Sequence, residues 1–305
     1  MKLINLNKMV TIILLSIVGG IWGYHSSSQA QQVTYNPTFT LDYQKCGSDP
    51  IITSTTVIFS NNNQCAAGRL VSNSLYKNIS KITATIDLSK MSQNYVNASF
   101  YMISNPVSAN TQPIGDNYCD AGGNNTQWNC REIDFIETNG NKITQTTMHL
   151  GDGGSNASQR YEYSFADTAN TSCFNYNTMT GSTTSTNGLH SMVGIIDMSY
   201  SFEMVTTFTY GNNPAMKTVY SQNGKSVTVY DTNTGSGAEG SQSLNMSDLT
   251  TSMSNGYWLT LSLWQGYSPK GPTSSVWWND SCSWGSECGS TAGYWTISDI
   301  TVIAD

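Results

Sequence analysis

Over 130–139 the chain reads Cys-Arg-Glu-Ile-Asp-Phe-Ile-Glu-Thr-Asn, which sets three carboxylates, Glu132, Asp134 and Glu137, within six residues. Acidic and apolar residues alternate at first, so Glu132 and Asp134 share one face of a strand. Glu137 lies five residues beyond Glu132, and an unbroken strand would turn it to the other face. A bulge between Asp134 and Glu137 would absorb one residue and line all three acids along one groove. Like charges in a row repel, so at least one of the three is expected to hold a proton at neutral pH. A carboxylate beside a protonated carboxyl can cut a glycosidic bond with retention of configuration. One carboxylate would attack the anomeric carbon and a second would protonate the leaving oxygen, while Asp134, between Glu132 and Glu137, would hydrogen-bond Glu132.

Other chemistries have little to work with. His149 follows Glu137 by twelve residues in Thr-Met-His-Leu, on what reads as the next strand. Apart from His25 near the start, only His149 and His190 remain, and no His/carboxylate cluster suggests a catalytic metal or other cofactor. No phosphate-cradling glycine loop leads into a helix, and no nucleophilic Ser or Cys arrangement is visible.

The elements that must position these acids are strands. Ile82, Ala84, Ile86 and Leu88 alternate with Thr and Asp, and from 198 to 210 most even positions are apolar or aromatic, both patterns of half-buried antiparallel strands. Asn223-Gly224 sits between two short strands as a hairpin turn. Leu259, Leu261 and Leu263 alternate with Trp258, Thr260, Ser262 and Trp264, which assigns the leucines to a core and the tryptophans to the opposite face. A last strand is expected over 294–303, with Trp295 in the core. No amphipathic helix longer than two turns stands out, and the Ser/Thr/Gly stretches at 181–188 and 232–243 read as loops. Many strands separated by turn residues imply an all-β fold, an antiparallel β-sandwich or jelly roll of the concanavalin A-like kind.

The first 30 residues read as a secretory signal peptide. Lys2 and Lys8 precede an apolar run over 9–22, too short for a comfortable membrane span, and small residues Ser28 and Ala30 offer a cleavage site. Residues 31–305 would then be a single secreted domain with no membrane attachment. The leader carries two of the 13 basic residues and none of the 20 acids, leaving 11 against 20, or −9. Such a balance argues against nucleic acid, whose phosphates need clustered Lys and Arg. Few charges and abundant Asn, Ser, Thr, Gly and Tyr suit a neutral, hydroxyl-rich ligand. The seven cysteines, all beyond the leader, are Cys46, Cys65, Cys119, Cys130, Cys173, Cys282 and Cys288. Export favours disulfides over a zinc site. Local pairs Cys46–Cys65, Cys119–Cys130 and Cys282–Cys288 would leave Cys173 over, but spacing does not fix the connectivity. Asn78, Asn156, Asn170 and Asn279 open glycosylation sequons.

Taken together these segments resemble glycoside hydrolase family 7, the cellulase-like jelly rolls, with family 16 as the related alternative. Glu132-Ile-Asp134-Phe-Ile-Glu137-Thr-Asn139 is similar to the family 7 signature Glu-Met-Asp-Ile-Trp-Glu-Ala-Asn. Tyr118-Cys119-Asp120-Ala121 matches its upstream Tyr-Cys-Asp-Ala, and the family's cysteine pairing supports Cys119–Cys130. Asn97-Ala-Ser99-Phe-Tyr101-Met-Ile looks like its Asn-Gly-Ala-Leu-Tyr-Phe-Val strand. Ser262-Leu-Trp264 and Trp277-Trp278-Asn-Asp280-Ser resemble its Ser-Leu-Trp and Leu-Trp-Leu-Asp-Ser. The resemblance runs in patches from about residue 95 onward. It implies Glu132 as nucleophile, Glu137 as acid/base and Asp134 as assistant, with Tyr101, Asp120, His149, Trp264 and Trp278 shaping a cleft for a β-1,4-glucan. The domain would act as a monomer. The chain departs from family 7 in its shorter length, in Gly122 for the usual glutamine and in Ile136 for the signature tryptophan. Shorter loops imply an open cleft and internal cleavage. The Ile and the compact loop also fit family 16, whose members act on β-1,3 or mixed-linkage glucans. A lectin-like protein keeping the sandwich without turnover is the reading from another class.

Overall fold

The computed structural model describes residues 32–46, 49–60, 67–91, 96–104, 130–139, 143–150, 160–166, 190–233, 246–265 and 293–305. Residues 32–305 form one compact unit. In chain order its strands are β1 Val33–Tyr35, β2 Phe39–Cys46, β3 Ile51–Ile52, β4 Thr56–Ser60, β5 Ala67–Tyr76, β6 Lys81–Asp87 and β7 Val96–Ser104. Next come β8 Glu132–Asn139, β9 Ile143–His149, β10 Arg160–Ala166, β11 His190–Ser191, β12 Phe202–Thr209, β13 Ala215–Gln222 and β14 Lys225–Asp231. Helix α1 Met246–Asn255, β15 Tyr257–Gln265 and β16 Tyr294–Ala304 complete the series.

The strands form two eight-stranded sheets, so the fold is an antiparallel β-sandwich of the jelly-roll class. One sheet has the order β14-β13-β12-β6-β16-β4-β3, with β1 added alongside β16. The other has the order β11-β10-β9-β8-β7-β15-β5-β2, in which, among the described residues, the β10–β11 pair is parallel and the rest are antiparallel. The principal core lies between them. Ile82, Ala84 and Ile86 of β6 and Met204 and Phe208 of β12 meet Phe100 and Met102 of β7, Ile133 and Phe135 of β8, and Leu259, Leu261 and Leu263 of β15. Trp295 of β16 is fully buried and stacks on Phe59 with centroids 5.6 Å apart. The leucine set and Trp295 are therefore core, as their spacing implied.

The hairpin between β13 and β14 turns at Asn223 and Gly224, both at positive φ (51° and 75°), the pairing a two-residue primed turn requires. Two local expectations change. The strand expected over 198–210 starts only at Phe202. The Gln222 side-chain amide donates to the carbonyls of Asp197, Tyr200 and Ser201 and its oxygen accepts from the Asp197 N–H. Those groups are thereby held in a turn, although Met198 still reaches the core. The ten-residue helix α1 was not expected, because Ser, Thr and Asn dilute its apolar stripe to Met246, Leu249 and Met253. The stripe still falls at helical spacing, and Leu249 and Met253 are fully buried. Asn78, a sequon residue, has its side-chain amide bonded to Asp305 at 2.6 Å, so it is engaged in the fold.

Candidate active site

Strand β8 carries the three acids, and its register shows how. Asp134 pairs with Thr147 of β9 but Glu137 pairs with Gln145, so three steps on β8 oppose two on β9. On the other side Tyr101 of β7 pairs with Asp134 while its neighbour Phe100 pairs with Ile136. One residue, Phe135, is extra: a β-bulge, at the place the carboxylate spacing demanded. Ile133, Phe135 and Ile136 are all fully buried in the core. A regular strand would have put Ile136 among the acids and forced Glu137 into the apolar interior. Burying an Ile or Phe side chain is worth about 1.5–3 kcal/mol, and an unpaired buried carboxylate costs several times that. The bulge satisfies both, and Glu137 returns to the face of Glu132 and Asp134.

The bulge is held from behind. The carbonyl of Phe135 accepts hydrogen bonds from Thr146 Oγ1 at 3.0 Å and from the hydroxyl of Tyr220 at 3.3 Å. Tyr220 belongs to β13 in the opposite sheet, is fully buried, and also meets Thr144 Oγ1 at 3.2 Å. Burial pushes the Tyr220 phenol far above its ordinary range, so it stays a donor at any working pH. Ahead of the strand, Cys130 is buried and disulfide-bonded. Arg131 exchanges bonds with Ser104 through its backbone, and its guanidinium donates to the carbonyl of Leu150 at 3.1 Å.

Cross-strand pairing arranges the carboxylate face in rows. One row runs Trp258, Ile103, Glu132, His149; the next Val71, Thr260, Tyr101, Asp134, Thr147; the third Arg69, Ser262, Ser99, Glu137, Gln145. His149 is directly opposite Glu132 and reaches diagonally to Asp134, Nε2 to Oδ2 3.6 Å, an ion pair whenever the imidazole is protonated. Asp134 is only 2% exposed, whereas Glu132 and Glu137 are half-buried. Tyr101, Val71, Ile103 and Trp258 form a second, smaller apolar cluster on this face. Tyr101 thus sits beside Asp134 in the floor of the face. Trp258 packs with it rather than standing free in solvent. Trp264 occupies β15 opposite Asn97, two positions beyond Ser262.

Several contacts around the acids were not visible in the sequence. The Asn97 amide donates to Glu137 Oε1 at 3.0 Å, and the Ser99 hydroxyl donates to Asn97 Oδ1 at 2.6 Å. At the far side of the third row Arg69 pairs with buried Asp42, its Nε donating to Oδ2 at 2.6 Å. Among the described residues, the hydroxyls of Thr147, Thr260 and Ser262 and the indole N–H of Trp258, all buried on this same face, have no hydrogen-bond partner. Asp120 and Trp278 lie outside the described residues, as do Cys65, Cys119, Cys173, Cys282, Cys288 and the leader over 1–30.

No family model matches the sequence, and no curated protein matches it. Among solved structures the chain is similar to a cellobiohydrolase of glycoside hydrolase family 7 from Daphnia pulex, at 14% identity and a TM-score of 0.48, covering 82% of this chain and 78% of that one. It is similar also to an endocellulase from Humicola insolens, at 12% identity and a TM-score of 0.47, covering 80% and 75%. A laminarinase from Flavobacterium aligns at 9% identity and a TM-score of 0.40, covering 82% and 79%.

Proposed function

We propose that the protein is a secreted retaining endo-glycoside hydrolase that cleaves a β-1,4-glucan, with Glu132 as nucleophile, Glu137 as acid/base and Asp134 as the assisting carboxylate. The observation that carries this reading is the bulge at Phe135, which brings Glu137 back to the face of the other two acids.

In the first half-reaction a carboxylate oxygen of Glu132 bonds to the anomeric carbon as the glycosidic C–O bond breaks, and the proton of Glu137 passes to the departing oxygen. In the second, Glu137, now ionised, takes a proton from water as the water oxygen bonds to the anomeric carbon and Glu132 leaves. Two inversions give net retention. Glu132 and Glu137 are two rows apart, about 13 Å along the sheet at 3.3 Å per residue. Their side chains must therefore lean toward one another over Asp134 to approach the roughly 5–5.5 Å that retention uses. His149, set between Glu132 and Asp134, would favour the ionised state of both.

Export and monomeric action belong to the same reading. The leader over 1–30 would be removed, and the domain would need no cofactor and no membrane. The test is hydrolysis of carboxymethylcellulose, lichenan, laminarin and xyloglucan by the wild type and by Glu132→Gln, with product length and anomeric configuration followed by NMR. Internal cuts with retained configuration, abolished in the variant, are expected. Preference for laminarin or lichenan would move the linkage to β-1,3 or mixed, and binding without turnover would favour a lectin. Wild-type hydrolysis by Glu132→Gln would remove the assignment.

A further inference from the structure

We propose that Ser99 and Asn97 form a positioning relay for Glu137, biasing which of its oxygens carries the transferable proton and favouring its ionised form. This inference rests on Glu137 being the acid/base. Ser99 stands directly opposite Glu137 across the β7–β8 ladder, and Asn97 is one row further along the same strand. Both are more than nine-tenths buried, at 3% and 5% exposure. A buried side-chain amide can present either its oxygen or its NH2 to a neighbour; an ionised carboxylate only accepts and so takes the NH2, and the Ser99 hydroxyl supports that orientation from the other end. By donating to Asn97 Oδ1 at 2.6 Å it keeps the NH2 toward Glu137, whose Oε1 accepts at 3.0 Å.

The consequences are chemical. An oxygen that already accepts an N–H bond is the poorer seat for a proton, so the bond from Asn97 biases the proton of Glu137 away from Oε1. A donor aimed at a carboxyl also stabilises the carboxylate over the acid. The neighbouring acids Glu132 and Asp134 act in the opposite sense, raising the proton affinity of Glu137 by like-charge repulsion. The relay offsets part of that repulsion. It matters most in the second half-reaction, where Glu137 must be ionised to take a proton from water. Ser99 stands where the resembled family strand has alanine, so the hydroxyl that orients the amide is a feature of this chain.

The test is the pH profile of kcat/KM for Asn97→Ala and Ser99→Ala on whichever of carboxymethylcellulose or lichenan is hydrolysed faster, with melting temperatures measured in parallel. The alkaline limb reports deprotonation of Glu137 in the free enzyme. Loss of the donor moves that limb to higher pH, by about one unit for Asn97→Ala and roughly half as much for Ser99→Ala. Should Asn97→Ala fail to fold, Ser99→Ala, which removes a single oxygen, carries the test. An unmoved alkaline limb in a folded Ser99→Ala overturns the relay. Glu137→Gln separates the two levels: wild-type hydrolysis by that variant removes the acid/base reading itself. An inactive Glu137→Gln beside unmoved limbs removes only the relay.

Discussion

Tyr220→Phe tests whether the bulge is held in place by the opposite sheet. The substitution keeps the ring and its packing against Phe202, and removes only the hydroxyl that meets Phe135 O and Thr144 Oγ1. The Phe135 carbonyl retains Thr146, so its loss is partial, while Thr144 Oγ1 gives up a buried partner. A net hydrogen bond is worth about 0.5–1.5 kcal/mol and an orphaned buried group about 1–3, which together suggest a loss of about 2 kcal/mol. At 2–4 °C per kcal/mol for a domain of this size, the melting temperature should fall by about 4–8 °C. Enough stability would remain at 25 °C to keep the chain folded, so any change in turnover would reflect position. We expect kcat to fall about tenfold, equal to about 1.4 kcal/mol of barrier, with KM nearly unchanged. Thr206→Val is the control, removing the buried Thr206–Thr218 bond of 2.8 Å in the other sheet without touching β8. It should melt lower and turn over normally. Equal kcat in Tyr220→Phe and Thr206→Val, at equal melting temperatures, would refute the claim that the pin behind the bulge serves catalysis.

Further expectations follow from other parts of the molecule. His149→Gln removes the ion-pair partner of Asp134 and should lower kcat/KM about tenfold with little change in melting, by steady-state kinetics and calorimetry; unchanged kinetics would place His149 outside the reaction. Burial raises Tyr76 and Tyr257 from 10.0 to about 12, with hydrogen bonds to Ser74 and Ser252 offsetting part of the effect. Above pH 10 the unfolded chain releases protons that the folded chain keeps, so stability present below pH 10 is lost as pH rises toward 12. The slope is about 1.4 kcal/mol per pH unit for each group, and urea midpoints that stay level from pH 9 to 11.5 would contradict it. Gly256 has φ +101° at the end of α1, and an added Cβ would lie 2.8 Å from Leu75 Cγ. Gly256→Ala should therefore cost about 2 kcal/mol, read as a shifted urea midpoint.

The sandwich and the bulge were legible in the sequence because both follow from one binary rule. Ile133, Phe135 and Ile136 must enter the core while Glu132, Asp134 and Glu137 must avoid it, and only an extra residue reconciles those demands. Asn223-Gly224 was equally plain, since few dipeptides accept positive φ twice. Helix α1 stayed hidden because its hydroxyl residues have weak helix propensity and its stability comes from packing Leu249 and Met253. The start of β12 moved because a side chain, Gln222, competes for the backbone groups of 197–201 from more than 20 residues away. The helpers of the acids were illegible for the same reason. Asn97 reaches Glu137 across 40 positions and Tyr220 reaches Phe135 across 85, and neither residue type announces such a contact.

The most direct measurement is covalent trapping. A 2-deoxy-2-fluoro derivative of the preferred oligosaccharide, bearing a dinitrophenyl leaving group, forms the glycosyl-enzyme but resists its hydrolysis. Peptide mass spectrometry should then find one sugar, attached to Glu132, and Glu137→Gln should still accumulate the adduct because that leaving group needs no proton. An adduct on Glu137, or none from a variant series that still cleaves the natural polymer, would contradict the assignment.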